Sequence, residues 1–293
     1  MQRFLIFIIF FISFQIVSSQ EQKTAFHSLD VFSLEWASNP QISPDASQII
    51  YRRNGFDIMK DNPKGNLWIL NSDGSLHRKL TSREVNESQA KWSPNGDRIA
   101  FVSSTDEGSE LYMYWVKTGQ IAKLSQLEMS PGNITWSPDG KQIAFTMFKA
   151  EKPPVIVKMP AKPKGANWAK PARITNRLKH EQDGRGYMKP GFTHIFIIPA
   201  QGGTPRQITS DNYNHSGSLS FSPSDNSIYF SANRIEDWEY DFRNSEIYKV
   251  NIETKVITVL TSQKGPDFSP KVSPNGNKVA LWVRDSDQAL RIN

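Results

Sequence analysis

Asn133-Ile-Thr-Trp-Ser-Pro-Asp-Gly-Lys-Gln-Ile-Ala-Phe-Thr146 reads as strand, turn, strand. Pro138 pre-sets φ near −65° at the second turn position, Asp139 tolerates the third and Gly140 closes the turn. Ile143, Ala144 and Phe145 then form a short apolar run of strand character. The unit recurs. Ala90 to Phe101 repeats it with Ser93-Pro-Asn-Gly96; Ser43-Pro-Asp-Ala46 leads into Ile49-Ile-Tyr51; Ser222-Pro-Ser-Asp225 leads into Ile228-Tyr-Phe230; Ser273-Pro-Asn-Gly276 leads into Val279-Ala-Leu281. In two copies Ala46 and Asp225 stand in the glycine's place.

The Ser-Pro pairs begin at 43, 93, 137, 222 and 273, at intervals of 50, 44, 85 and 51. The long interval is one period plus an insert. Five copies at this period indicate a repeat architecture, and short strands at this period suit propeller blades. Each period yields a strand before the Ser-Pro turn, one after it, a third rich in aromatic and aliphatic residues, and a fourth ending in Leu or Ile followed by Thr or Ser. The expectation is an all-β chain: a β-propeller with blades at about 39–81, 90–125, 133–209 and 217–261, and a fifth opening at 271–293. Four blades and a part of a fifth leave unpaired edges, which proteins avoid. The chain therefore reads as the N-terminal part of a longer protein with a larger ring of seven or eight blades.

Residues 1–19 read as a secretory signal: Arg3 supplies the positive start, Phe4 to Phe14 the apolar run, and Val17-Ser-Ser19 the small residues before cleavage. Residues 20–38 are a lead-in. There is no cysteine, which excludes disulfides, thiol catalysis and zinc–thiolate sites. The expected location is the periplasm or the secreted fraction, with no stable membrane insertion after cleavage. Net charge is +6, but the insert at about 148–190 holds eleven Lys and Arg against three Asp and Glu, net +8. The rest of the chain is near neutral, so a general nucleic-acid surface is not expected.

Two stretches carry candidate site residues. In the insert, Asp183-Gly-Arg-Gly-Tyr187 places two glycines around Arg185, as in a tight turn that displays Arg185 and Tyr187. A displayed arginine pairs with a carboxylate or binds a carbonyl; the plainer reading is a hairpin with a solvated arginine. In Asn233 to Asn244, acidic and aromatic residues interleave. Glu236 with Asp237, and Glu239 with Asp241, would receive a peptide amine or a cation; the plainer reading is a polar loop anchored by Trp238 and Tyr240. Arg185, Tyr187, Glu236 and Glu239 are taken as substrate contacts. The histidines at 27, 77, 180, 194 and 215 are scattered. Only His180 lies in a candidate site, and His194 reads as a packing or hydrogen-bonding residue. There is no Gly-x-Ser-x-Gly elbow, Walker loop, Gly-x-Gly-x-x-Gly or His-Glu-x-x-His. No catalytic residue, metal site or cofactor is read from the sequence.

The Ser-Pro-Asp-Gly-Lys-x-Ile-Ala-Phe units resemble the repeats shared by the TolB propeller and the propeller domain of prolyl oligopeptidase-family serine peptidases. Three further segments are similar to the acylaminoacyl-peptidase-like members: Arg177 to Tyr187 with His194-Ile-Phe-Ile-Ile-Pro199; Gly202-Gly-Thr-Pro-Arg-Gln-Ile-Thr209; and Ser231 to Tyr240 with Asn244-Ser-Glu-Ile-Tyr248. In that family the propeller caps an α/β-hydrolase domain carrying Ser, Asp and His, restricts access to short peptides and contributes substrate contacts. The resemblance implies a non-catalytic, substrate-gating propeller portion, working on short peptides together with a hydrolase domain outside this sequence. No triad residue can be carried over. The alternative is a TolB-like periplasmic interaction module with no enzymatic activity. TolB-like proteins are similar in carrying a helix-rich domain ahead of the propeller, and the first turn at Ser43 leaves no room for one.

Overall fold

The computed structural model describes residues 25–152, 157, 160–169, 174–263 and 265–284, so the expected signal at 1–19 lies outside the described residues. After a 3-10 helix at Ser28–Ser33, the chain forms four four-stranded antiparallel sheets and a two-stranded fifth. Sheet one holds β1 (Trp36–Ile42), β2 (Gln48–Asp57), β3 (Asn62–Asn71) and β4 (Arg78–Lys79); sheet two holds β5 (Glu87–Trp92), β6 (Arg98–Thr105), β7 (Gly108–Trp115) and β8 (Ile121–Lys123). Sheet three is β9 (Pro131–Trp136), β10 (Gln142–Ala150), β13 (Gly191–Pro199) and β14 (Arg206–Gln207), with a small hairpin, β11 (Glu181–Gln182) and β12 (Gly186–Tyr187), in the insert. Sheet four is β15 (Ser220–Phe221), β16 (Ser227–Ala232), β17 (Glu246–Asn251) and β18 (Ile257–Val259). The fifth pairs β19 (Asp267–Val272) with β20 (Val279–Val283).

In each full sheet the strands lie in sequence order, and the first strands of successive sheets touch: β1 with β5, β5 with β9, β9 with β15, β15 with β19. Sheets that meet along their first strands surround an axis, which makes each sheet a blade of a β-propeller. The blades stack face to face. One core cluster joins Leu111 and Met113 of blade two to Ile143 and Phe145 of blade three. The next joins Ala144, Ile195 and Ile197 of blade three to Ile228 and Phe230 of blade four. Neighbouring residues of β10 therefore point into different interfaces, which is why Ile143-Ala-Phe145 is apolar without alternation: a strand covered on both sides has no wet face.

The repeated serine closes the first hairpin of the blade. Its backbone pairs with the residue five positions on, and its hydroxyl accepts that residue's N–H: Gln48 N to Ser43 Oγ at 2.9 Å, Arg98 N to Ser93 Oγ at 3.0 Å, Gln142 N to Ser137 Oγ at 2.9 Å and Lys278 N to Ser273 Oγ at 3.0 Å. The hydroxyl proton goes to the turn's Asp or Asn, as in Ser137 to Asp139 Oδ1 at 2.6 Å. Blade four departs. The left-handed residue there is Asn226 (φ 48), one place after Asp225, so Asp225 does not take the glycine's role. In blade one Ala46 does take it, at φ 58. Between blades, Trp92 Nε1 donates to the Gln41 carbonyl at 3.3 Å and Trp136 Nε1 to the Lys91 carbonyl at 3.0 Å. The Trp before Ser-Pro thus ties the first strands of blades two and three to the one before each.

Antiparallel order also sorts the connections. The Ser-Pro turns and the third-to-fourth turns share one rim. The second-to-third loops, including the insert and 233–244, share the other with the inter-blade links. An L-residue in the left-handed region costs about 1–2 kcal/mol. Ala46→Gly should therefore stabilise the protein by about 1 kcal/mol, read as a higher urea midpoint. Gly140→Ala should lose a similar amount through backbone strain, since its new Cβ would meet Pro94 Cδ at an ordinary 3.6 Å.

Candidate functional site

Two neighbouring features occupy the loop rim between blades three and four: an open pocket of about 670 Å3 and a partly buried charge cluster beside it. The pocket begins with the insert. Glu181 pairs with Tyr187 and Gln182 with Gly186, while Gly184 and Gly186 take φ 72 and 64. The turn holds Arg185 and Tyr187 outward, and the His180 ring lies 5.9 Å from that of Tyr187. At the pocket wall, the Arg177 guanidinium stacks on Phe192 at 4.1 Å and on Trp238 at 5.3 Å, with Glu151 3.6 Å away. One cation thus joins the end of the insert, strand β13 and the blade-four loop. At Gly191, which lines the same pocket, a Cβ would fall 2.2 Å from the Lys149 carbonyl oxygen, so no side chain fits.

Of the four residues expected as substrate contacts, the pocket gathers Arg185, Tyr187 and Glu239. Glu236 is exposed and does not line it. His180 lines it as well. The loop 233–244 is held inside by Asn233 Nδ2, which donates to the Asp241 carbonyl at 2.7 Å, and by Trp238. Tyr240 is 76% exposed and anchors nothing.

Beside the pocket lies a constellation that sequence reading did not find. The link between blades three and four is fixed to β13 by Thr193 N, which donates to Asn214 Oδ1 at 2.9 Å, and by His215 N, which donates to the Thr193 carbonyl at 2.8 Å. This brings His215, fully buried, against His194 with 5.7 Å between ring centroids. Asp211 Oδ1 lies 3.2 Å from His215 Nε2, and Arg234 Nη1 lies 2.5 Å from Asp211 Oδ2 and 2.8 Å from His215 Nε2. Ligand-capable atoms of His194, Asp211 and His215 fall within 4.8 Å of one another, a set of the kind that holds a divalent cation. Here the Arg234 guanidinium already supplies positive charge to Asp211 and contacts His215. Burial works against the Asp211 carboxylate, but His215 and Arg234 outweigh it and hold that carboxyl at about 2.

The repeat explains His194. The residue before the first fully buried position of the third strand meets the Thr or Ser that ends the fourth. Ser125 Oγ donates to Glu110 Oε2 at 2.7 Å and Thr261 Oγ1 to Glu246 Oε2 at 2.5 Å. In blade three this place belongs to His194, whose Nδ1 is 3.4 Å from Thr209 Oγ1. The hydroxyl also accepts a strand N–H in all three: Leu111, Ile195 and Ile247. Aligning the repeats would have shown the His-for-Glu exchange. The Asp211-x-x-x-His215 spacing would have suggested a pair. Neither indicates that Arg234 joins them.

Burial, then the neighbouring His215, pull the His194 pKa down from 6.5 to about 4. Between those values the unfolded chain holds a proton that the folded chain refuses. The stabilisation is complete above pH 6.5 and is lost as pH falls towards 4, an effect on the order of 3 kcal/mol. Thermal unfolding should show Tm falling across this window, and His194→Gln should flatten that fall. An unchanged pH profile in the variant would show that His194 does not carry it.

Residues 161–289 match the family model "Dipeptidyl peptidase IV (DPP IV) N-terminal region". Over 208 residues the chain is 24% identical to the "Uncharacterized peptidase YuxL" of Bacillus subtilis, covering 71% of this chain and 31% of that one. Over 81 residues it is 31% identical to "Dipeptidyl-peptidase 5" of Porphyromonas gingivalis, covering 28% of this chain and 12% of that one. The chain thus spans under a third of the length of these relatives. Among solved structures, the acylaminoacyl peptidase of Pyrococcus horikoshii aligns with a TM-score of 0.62 at 14% identity, over 86% of this chain and 36% of that one. TolB of Acinetobacter baumannii aligns with a TM-score of 0.51 at 15% identity, over 86% and 63%. The turn repeats and the structure lead to one conclusion: the chain is a β-propeller, and its residues 161–289 are similar to the N-terminal region of dipeptidyl peptidase IV.

Proposed function

We propose that this chain is the substrate-facing propeller portion of an exported serine peptidase that acts on short peptides, and that it is itself non-catalytic. The observation that carries the reading is the rim pocket. The insert hairpin and the blade-four loop lie some 50 residues apart in sequence, yet they bring Arg185, Tyr187 and Glu239 to one concavity of about 670 Å3. That volume suits a small ligand. Charged and aromatic groups from two separate chain segments suit a peptide's termini and side chains. The matched relatives bear the names of peptidases, one of them a dipeptidyl peptidase.

In this reading hydrolysis proceeds by acyl transfer, with Ser, His and Asp supplied by a hydrolase domain outside these residues. The propeller selects short chains by size and holds one end of them. The partly buried cluster of Asp211, His215 and Arg234 ties the inter-blade link to the start of the blade-four loop, two segments that reach the pocket through Asn214 and Glu239. A second reading, a TolB-like interaction module with no reaction, draws on the alignment with TolB.

Two measurements separate these. The purified 293-residue chain should show no turnover of aminoacyl-nitroanilides; turnover that survives repeated purification would refute the non-catalytic role. The intact mass of the endogenous protein in the exported fraction should be at least about twice the 33.3 kDa of this sequence, since the chain covers 31% of one peptidase relative. A mass matching the chain alone would favour the interaction module.

A further inference from the structure

Resting on the peptide-pocket reading above, we infer that the rim pocket recognises a carboxylate, so that the preferred short peptides are anionic at the end it holds. The walls carry Lys179, Arg185 and Lys189. All three are exposed, and none forms an ion pair with a described residue. A fourth cation, Arg177, is already committed: it lies on Phe192 and Trp238 and has Glu151 at 3.6 Å. The acidic residues of the same hairpin, Glu181 and Asp183, do not line the pocket. Among the described residues, the acidic lining residue is Glu239, which comes from the blade-four loop rather than the insert.

Three cations without an ion pair among the described residues face one concavity and set a positive potential there. An anion entering it satisfies them without breaking an existing pair. A guanidinium and two ammonium groups on separate chain positions can close around a carboxylate from several sides. Glu239, on a separate chain segment, then repels an anion placed beside it and accepts the amine of a correctly placed peptide. Charge thereby sets direction as well as preference. Because the cations are exposed, each contact is individually weak and salt-sensitive, and the selectivity comes from the three together. The carboxylate has two sources, the peptide's C-terminus or an acidic side chain, and the chemistry is shared.

The test is calorimetric titration of the full chain with Gly-Phe-Glu and Gly-Phe-Gln, each as free acid and as C-terminal amide, at low and high salt. The fully amidated Gln peptide should bind about tenfold more weakly than those with a carboxylate, and the difference should shrink with salt. Loss on amidation assigns the C-terminus; loss on Glu-to-Gln exchange assigns the side chain. The triple variant Lys179→Ala, Arg185→Ala, Lys189→Ala changes only exposed side chains. It should erase the difference among the four peptides. Equal binding of all four peptides would overturn the carboxylate inference and leave the peptide pocket standing. If no peptide binds but succinate does, and the triple variant loses it, the carboxylate inference stands and the peptide reading falls. If neither binds, both fall.

Discussion

A four-stranded sheet with two apolar faces cannot stand in water by itself, and the molecule follows from that constraint. Ile143 and Phe145 need blade two, while Ala144, Ile195 and Ile197 need blade four. Burying both faces of every blade forces the sheets to fan around their first strands rather than pack in two layers. Once the fan is set, each strand can be uniformly apolar, and polarity concentrates at strand ends and rims. Blades two to four therefore close with polar atoms at the outer strand, Thr or Ser against Glu, or against His in blade three, and serine closes the first hairpins.

The two rims then diverge in role. On the turn rim the Ser-Pro loops are short and internally bonded; a Cβ on Gly140 would already touch Pro94 of the preceding blade, at 3.6 Å. Little there can vary without disturbing the hairpin register. On the other rim the chain passes between second and third strands and between blades, and loop length is free. The insert and the 233–244 loop both use this freedom, at neighbouring blades. The pocket forms where they meet because Arg177 bridges Phe192 and Trp238.

The cluster beside the pocket joins architecture to site. His194 occupies a place that glutamate fills in blades two and four. A neutral imidazole there presents its other edge to His215 instead of adding a carboxylate charge. Asp211 then has Arg234 as its strong partner, and that ion pair spans the inter-blade link and the start of the blade-four loop. A charge pair partly removed from water holds its partners firmly, because breaking it strands both groups.

The sequence by itself determined the blades. Serine, proline and glycine at a fixed period dictate a hairpin through local hydrogen bonds and φ preferences, and the doubly apolar strands dictate stacking. It also marked Arg185 and Tyr187, because two glycines around one residue read locally as a displayed turn. Tertiary structure decided what lies together. Nothing local separates Glu239, in the pocket, from Glu236, outside it, since only the path of the 233–244 loop sets which acid turns inward. Nothing local predicts that Tyr240 faces solvent while Trp238 packs on Arg177. His194, Asp211, His215 and Arg234 come from four positions whose meeting depends on the angle between two blades. That angle is set by the packing of Ile195 and Ile197 against Ile228 and Phe230, a long-range contact with no signature at the four charged residues themselves.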